Sequence, residues 1–267
     1  MRKQNVHNLK ISSSVPLGPL TTKVLGLINE NPELFAIWHV TNIVAKKRLH
    51  MTDHGIGHFQ LVTNRALLLL ELFHARGVPL NLQTDYQLGY DYSQVVVLLA
   101  SLLHDVGMSI HRDGHEEFSL LIGFDFINKL LDFLSVKERI ILRSETQHAI
   151  ISHRVGGNPL TVEAGIVRVA DALDLTRTRV SSTIDSKHMN IHTVSADSID
   201  QVLVTRGKKV AVDIDIVMNH TAGLFQVDEM LHNKVKHSGI ERYLDIHVYI
   251  KKNGRRQLLK EYLGRRK

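Results

Sequence analysis

The sequence predicts a mainly α-helical bundle over residues 1–185, followed by a small α+β region over residues 186–267. Two observations carry this. Up to about residue 180, apolar side chains recur at helical spacing in long segments closed by Gly or Pro. Beyond it the texture changes to period-two alternation broken by Gly turns, the mark of paired strands.

Residues 20–49 read as helical, with Leu25, Ile28, Leu34, Ile37, Val40 and Ile43 on the apolar positions. The segment 58-HFQLVTNRALLLLELFHARG-77 has strong helix formers, then Gly77 and Pro79 as stops. Further helices fit 90–105, 115–134, 136–153 and 161–179. The stretch 200-DQVLVTRGKKVAVDIDIVM-218 reads as a hairpin around Arg206-Gly207-Lys208, and 226–239 as a short helix ended by Gly239. Residues 243–263 give a strand, an Asn-Gly turn and a second strand or helix.

Composition narrows the classes of function. With no cysteine there are no disulfides and no thiolate metal sites, and the cytoplasm is the expected compartment. The N-terminus lacks the apolar run of a signal peptide, and no run approaches the roughly 20 residues of a membrane helix, so no membrane partner is expected. The net charge of +6 is concentrated in 251-KKNGRRQLLKEYLGRRK-267, which leaves the rest of the chain close to neutral. A basic tail is ordinarily a solvated end, and RNA binding through it is the corresponding minority reading.

The chemistry sits where polar residues break apolar runs. The run 95-VVVLLASLL-103 ends in His104-Asp105, and burying such a pair requires a compensating partner or a metal. His50, His54 and His58 are spaced four apart, but Gly55 and Gly57 oppose a continuous helix, placing His58 at a helix start and His54 in the preceding loop. Taken alone, each is read as a capping or surface residue. His153 closes 147-QHAIISH-153, and lies about 140° around a helix from His148, so both are not expected to face one site. Asp171 interrupts 166-IVRVADALDL-175, followed by Asp174; an ion pair with Arg168 or Arg177 is the plain structural alternative. Imidazoles and carboxylates without thiols suit Mn, Fe, Co, Ni or Zn.

The ordered set His58, His104-Asp105, Asp171, all in helical settings, resembles the HD-domain superfamily of metal-dependent phosphohydrolases over roughly residues 40–180. His115 in "HEEFS" and His153 in "AIISH" resemble its two-metal branches, which include the HD-GYP cyclic-dinucleotide phosphodiesterases and the dinucleoside-polyphosphate hydrolases; His111 and His148 are their rivals. The chain departs from HD-GYP proteins in having Met108 where those carry a lysine, and in lacking Gly-Tyr-Pro. The segment 219-NHTAGLFQVDEML-231 resembles the tail of uncharacterised prokaryotic HD proteins.

The resemblance implies hydrolysis of a phosphoester, such as a nucleotide, with one or two divalent ions as cofactors. Asp105 and His104 would be catalytic. Asp105 would bridge His58, His104 and Asp171 on one ion to His115 and His153 on the other. Arg112, Arg154, Arg177 and Arg179, with Lys187, are the candidate phosphate-binding residues, since a guanidinium suits a phosphate fork. The alternative is a catalytically silent, metal-containing nucleotide sensor. Residues 190–267 are expected to supply a homo-oligomer surface or part of the substrate pocket, with the metal chemistry confined to residues 40–180.

Overall fold

A computed structural model describes residues 10–175, 191–252 and 254–264. Arg177, Arg179 and Lys187, and the boundary expected near residue 185, lie outside the described residues. The helices are α1 (Pro19–Asn29), α2 (Pro32–Asn42), α3 (Ile56–Ala75), α4 (Asn81–Tyr86), α5 (Tyr90–Leu103), α6 (His115–Leu130), α7 (Val136–Ser152) and α8 (Val162–Ala172). After the undescribed segment come α9 (Ile191–Asp197), strands β1 (Ile199–Arg206) and β2 (Val212–Met218), α10 (Asn233–Lys236), β3 (Leu244–Lys252) and β4 (Arg255–Tyr262).

The helical stretch expected over 20–49 is divided. Pro32 removes a donor and restricts Asn31 to extended backbone, so α1 stops and α2 starts afresh, with the Asn31 side chain accepting from the N–H groups of Glu33 and Leu34. A π-helical turn over Ile43–Arg48 then carries the chain towards the loop before α3. The short helix α4 falls in the Gly77–Tyr90 connection, which the apolar spacing did not mark as helical.

The bundle is built around α5. Every residue from Ser93 to Leu103 is buried, which suits a helix apolar all round rather than on one stripe. The Trp38 indole N–H donates to the Leu102 carbonyl at 2.9 Å, pinning α2 to the end of α5. Glu163, in the first turn of α8, is fully buried and accepts from the Asn81 and Leu82 N–H groups at 3.1 and 3.2 Å and from the Ser93 hydroxyl at 2.8 Å. Since α4 has no side-chain cap of its own, Glu163 caps it from another helix and ties α4, α5 and α8 together.

The four strands form one sheet in chain order. The hairpin β1–β2 is antiparallel, and β3–β4 is also antiparallel, which settles the strand-or-helix alternative for the basic tail: residues 255–262 are an exposed edge strand. The central pair β2–β3 is parallel, so the chain must cross over between them. Residues 219–243 make that crossover through a π-helical stretch, Gln226–His232, and α10, where the sequence suggested one α-helix. Helices and sheet share one apolar core, in which Ile199, Val212, Ile214 and Ile246 join Leu67, Leu70 and Ile166. A Cβ at Gly165 of α8 would fall 2.4 Å from the Ser238 carbonyl oxygen, so only glycine lets the crossover lie this close to the bundle. No helix among the described residues is long and apolar enough to cross a membrane.

Glu163→Ala would strand three donors, those of Leu82 and Ser93 fully buried and that of Asn81 partly so, a buried one costing about 1–3 kcal/mol. A loss of about 3 kcal/mol or more, read as a lower urea midpoint, is the expected outcome; an unchanged midpoint would show that the cap is dispensable.

Candidate metal centre

The polar residues that interrupted apolar runs sit at helix ends. His58 lies in the first turn of α3, His104 follows α5, His115 opens α6, His153 follows α7, and Asp171 is in the last turn of α8. They converge on Asp105, which lies in the turn after α5. Its Oδ1 is 3.1 Å from His115 Nε2 and 3.5 Å from His153 Nε2. Its Oδ2 is 3.5 Å from His104 Nε2 and 3.6 Å from His58 Nε2. Asp171 Oδ1 lies 3.7 Å from both His58 Nε2 and His104 Nε2. Asp105 thus turns one oxygen to each of two groups, His58/His104/Asp171 and His115/His153.

The other ring nitrogens define the chemistry. His104 Nδ1 is 2.9 Å from the Ser101 carbonyl, His153 Nδ1 2.6 Å from that of Ile150, and His115 Nδ1 2.9 Å from that of Arg112. His58 Nδ1 is 2.7 Å from Asp174 Oδ2. A carbonyl or carboxylate oxygen only accepts, so each Nδ1 carries a proton, and Nε2 is the nitrogen turned to the cluster and able to offer its lone pair to a cation. His58 Nε2 and His104 Nε2 face each other at 3.2 Å, where two lone pairs repel unless a cation lies between them. Donor atoms a few ångströms apart suit an ion with bonds of about 2.0–2.1 Å, and the group His58, His104, Asp171 meets that spacing. The donor set therefore fits a metal.

Electrostatics agree. Burial opposes ionisation of Asp105, but His104 and the contacts from His115, His153 and His58 outweigh it and hold the carboxyl well below the usual range. Burial likewise opposes ionisation of Asp171, and the Lys234 ammonium and His104 hold it well below that range. Burial pulls down both His115 and His153; the contact with Asp105 reverses the direction at His115, whereas at His153 burial prevails. A proton held between His115 and Asp105 is the one that a bound cation would displace.

The turn after the dyad is fixed by a close approach. A Cβ at Gly107 would fall 2.0 Å from the His115 carbonyl oxygen, so glycine is required there. The Ser119 hydroxyl accepts from Gly107 N–H at 2.9 Å and donates to the His104 carbonyl at 2.7 Å, locking the dyad to α6.

The rivals fall outside the cluster. His111 is exposed and its Nδ1 accepts from the Asp113 N–H; His148 Nε2 accepts from the Leu160 N–H at 2.9 Å. Among the described residues no arginine pairs with Asp171, and the other nominated partner, Arg177, lies outside them. Arg168 spends its guanidinium on the carbonyls of Ser152, Arg154, Gly157 and Lys234, and Asp171 instead receives the Lys234 ammonium at 2.5 Å. Of the nominated phosphate-binding residues, Arg112 and Arg154 border a cavity of about 520 Å³ beside the cluster, Arg154 paired with Glu117 at 2.6 Å.

Four residues join the site beyond the nominated set. His54 is buried, with Nδ1 2.7 Å from the Thr52 carbonyl and Nε2 4.0 Å from Asp105 Oδ2, the same orientation as the other four rings. Glu116 lies 3.1 Å from His115 Nδ1 and groups with His115 and His153. Asp174 orients His58, and Lys234 reaches in from the crossover. The four-residue spacing of His54 and His58 was the available signal for the first, and the three-residue spacing from Asp171 for Asp174; no local pattern marks Lys234.

Asp174 acts on the site through His58. Asp174→Ala is expected to weaken metal binding about 10–100-fold without changing the number of ions at saturation. Competition titration with a chelator checks the first and elemental analysis the second; loss of a whole ion would make Asp174 a ligand itself.

An HD-domain family model matches residues 80–176, a span that holds the dyad, His115, His153 and Asp171 and begins after His58. An uncharacterised protein of Methanocaldococcus jannaschii, MJ1020, is 34% identical over 224 residues, covering 84% of this chain and 86% of the relative. No solved structure matches the chain. With the ordered His and Asp residues gathered into one buried cluster, these matches place the chain in the HD-domain superfamily of metal-dependent phosphohydrolases.

Proposed function

We propose that this protein hydrolyses a phosphoester of a small molecule of nucleotide class at a centre of one or two divalent ions. The observation that carries the proposal is the inward convergence of Nε2 atoms on the two oxygens of Asp105, each ring held by its Nδ1 on an oxygen. His58, His104, Asp171 and Asp105 Oδ2 would hold one ion, with His54 within reach of it. His115, His153 and Asp105 Oδ1 would hold the other, with Glu116 beside it.

Divalent ions bound there lower the pKa of water and offset the charge of a phosphoryl group. The chain's own groups do the rest. Asp105 sets the spacing between the two halves of the site, and Asp174 fixes the His58 ring. Arg112 and Arg154 border the cavity where a phosphate would enter, and its volume suits a phosphorylated small molecule. The donor set favours Mn, Fe, Co, Ni or Zn over the all-oxygen preferences of Ca and Mg.

Asp105→Ala should lose most bound metal and all hydrolysis while far-ultraviolet circular dichroism keeps the helical signal, because the apolar core is untouched. Full metal content in that variant would refute the bridging role. Stoichiometry separates two ions from one: wild type is expected to bind two, and His115→Ala or His153→Ala to move the count toward one. If neither changes it, the centre reduces to His58, His104, Asp105 and Asp171.

A further inference from the structure

We propose that Lys234, carried by the crossover between β2 and β3, binds the phosphoryl group of the substrate, so that the C-terminal region supplies an obligatory part of the active site. The inference rests on the phosphohydrolase reading and adds the residue that recognises the substrate's anion.

Asp171 uses its two oxygens differently: Oδ1 faces His58 and His104, and Oδ2 takes the Lys234 ammonium. An ammonium has three N–H donors on a tetrahedral nitrogen. Asp171 takes one, and among the described residues it is the only side-chain partner of Lys234 Nζ. Lys234 also borders the cavity. Among the described residues no other side chain takes the remaining two donors, which lie at the border of the space where a phosphate would sit.

Its position is fixed. Arg168 Nε donates to the Lys234 carbonyl at 2.9 Å while Nη1 of the same guanidinium holds the Ser152 and Arg154 carbonyls on either side of His153. One buried, rigid group therefore sets the distance between the Lys234 backbone and a candidate metal ligand. The Lys234 side chain is only 12% exposed, so its charge acts through less water than a surface lysine's. Arg154, by contrast, is 43% exposed and engaged by Glu117, and Arg112 lies against the His115 ring and Met108. A dianionic phosphate approaching Asp105 and Asp171 meets two carboxylates, and Lys234 is the cation placed directly against one of them.

The test uses the full-length, metal-loaded protein with inorganic phosphate as the probe, titrated by calorimetry, alongside elemental analysis and steady-state kinetics on p-nitrophenyl phosphate. Lys234→Met is expected to keep the wild-type metal count, bind phosphate at least tenfold more weakly, and raise KM more than it lowers kcat. Lys234→Arg should recover part of the phosphate affinity. Should the Met variant precipitate, Lys234→Gln carries the same readings. Phosphate binding within twofold of wild type would overturn the proposal, as would loss of metal in step with loss of phosphate, which would make Lys234 an orienter of Asp171. A wild-type protein that bound neither metal nor phosphate would take down the phosphohydrolase reading as well; one that bound both, with an unaffected Lys234→Met, would remove Lys234 alone.

Discussion

The commitment of each ring's Nδ1–H to an oxygen governs the centre. A buried imidazole is amphoteric, and two of them side by side would ordinarily share a proton. Here the outer nitrogen of His104 donates to Ser101 and that of His153 to Ile150, both three residues back in the last turn of a helix. Those carbonyls belong to the group that helix termini leave without intrahelical partners. Ending α5 and α7 at the site thus does two things at once: it supplies the oxygens that hold the Nδ1 atoms, and it turns the Nε2 atoms inward. His58 begins a helix rather than ending one, and its Nδ1 is served by the Asp174 carboxylate instead.

The second constraint is the closeness of backbone to backbone. Gly107 lets the turn after the dyad rest on the start of α6, and Gly165 lets the crossover rest on α8. Arg168 then joins that crossover to the chain around His153 through four carbonyls. Burial pulls the Arg168 guanidinium below its ordinary value, a cost that its hydrogen bonds offset. Helical bundle and sheet are consequently not independent near the site. Their apolar residues form one core, and a polar group buried between them sets the geometry.

Much of this was legible in the sequence because the relevant signals are local. Helical spacing with Gly and Pro stops located α3, α5, α6, α7 and α8, and period-two alternation located β1–β2. The dyad stood out because His104 and Asp105 end an apolar run, and the angular separation of His148 and His153 already implied that only one faces the cluster. The reading was poorer wherever the deciding force comes from far along the chain. Helix α4 has six residues and no cap of its own, and it exists because Glu163, more than 80 residues on, accepts its first N–H groups. Of the two arginines offered as partners for Asp171, Arg168 is held instead by backbone carbonyls across α8, and Arg177 lies outside the described residues.

Lys234 is the sharpest case. In sequence it is one lysine in 226-QVDEMLHNKVKHSG-239, with no acidic neighbour at helical spacing on its C-terminal side to mark it. Its role follows from topology. Because β2 and β3 are parallel, the chain between them must return along the sheet, and that return passes over α8 where Gly165 admits it. The parallel pairing is what delivers a cation to Asp171, 63 residues earlier in the chain. A sequence reading that took the C-terminal strands as two hairpins could offer residues 190–267 as part of the substrate pocket, but had no reason to single out this segment or to bring it against Asp171.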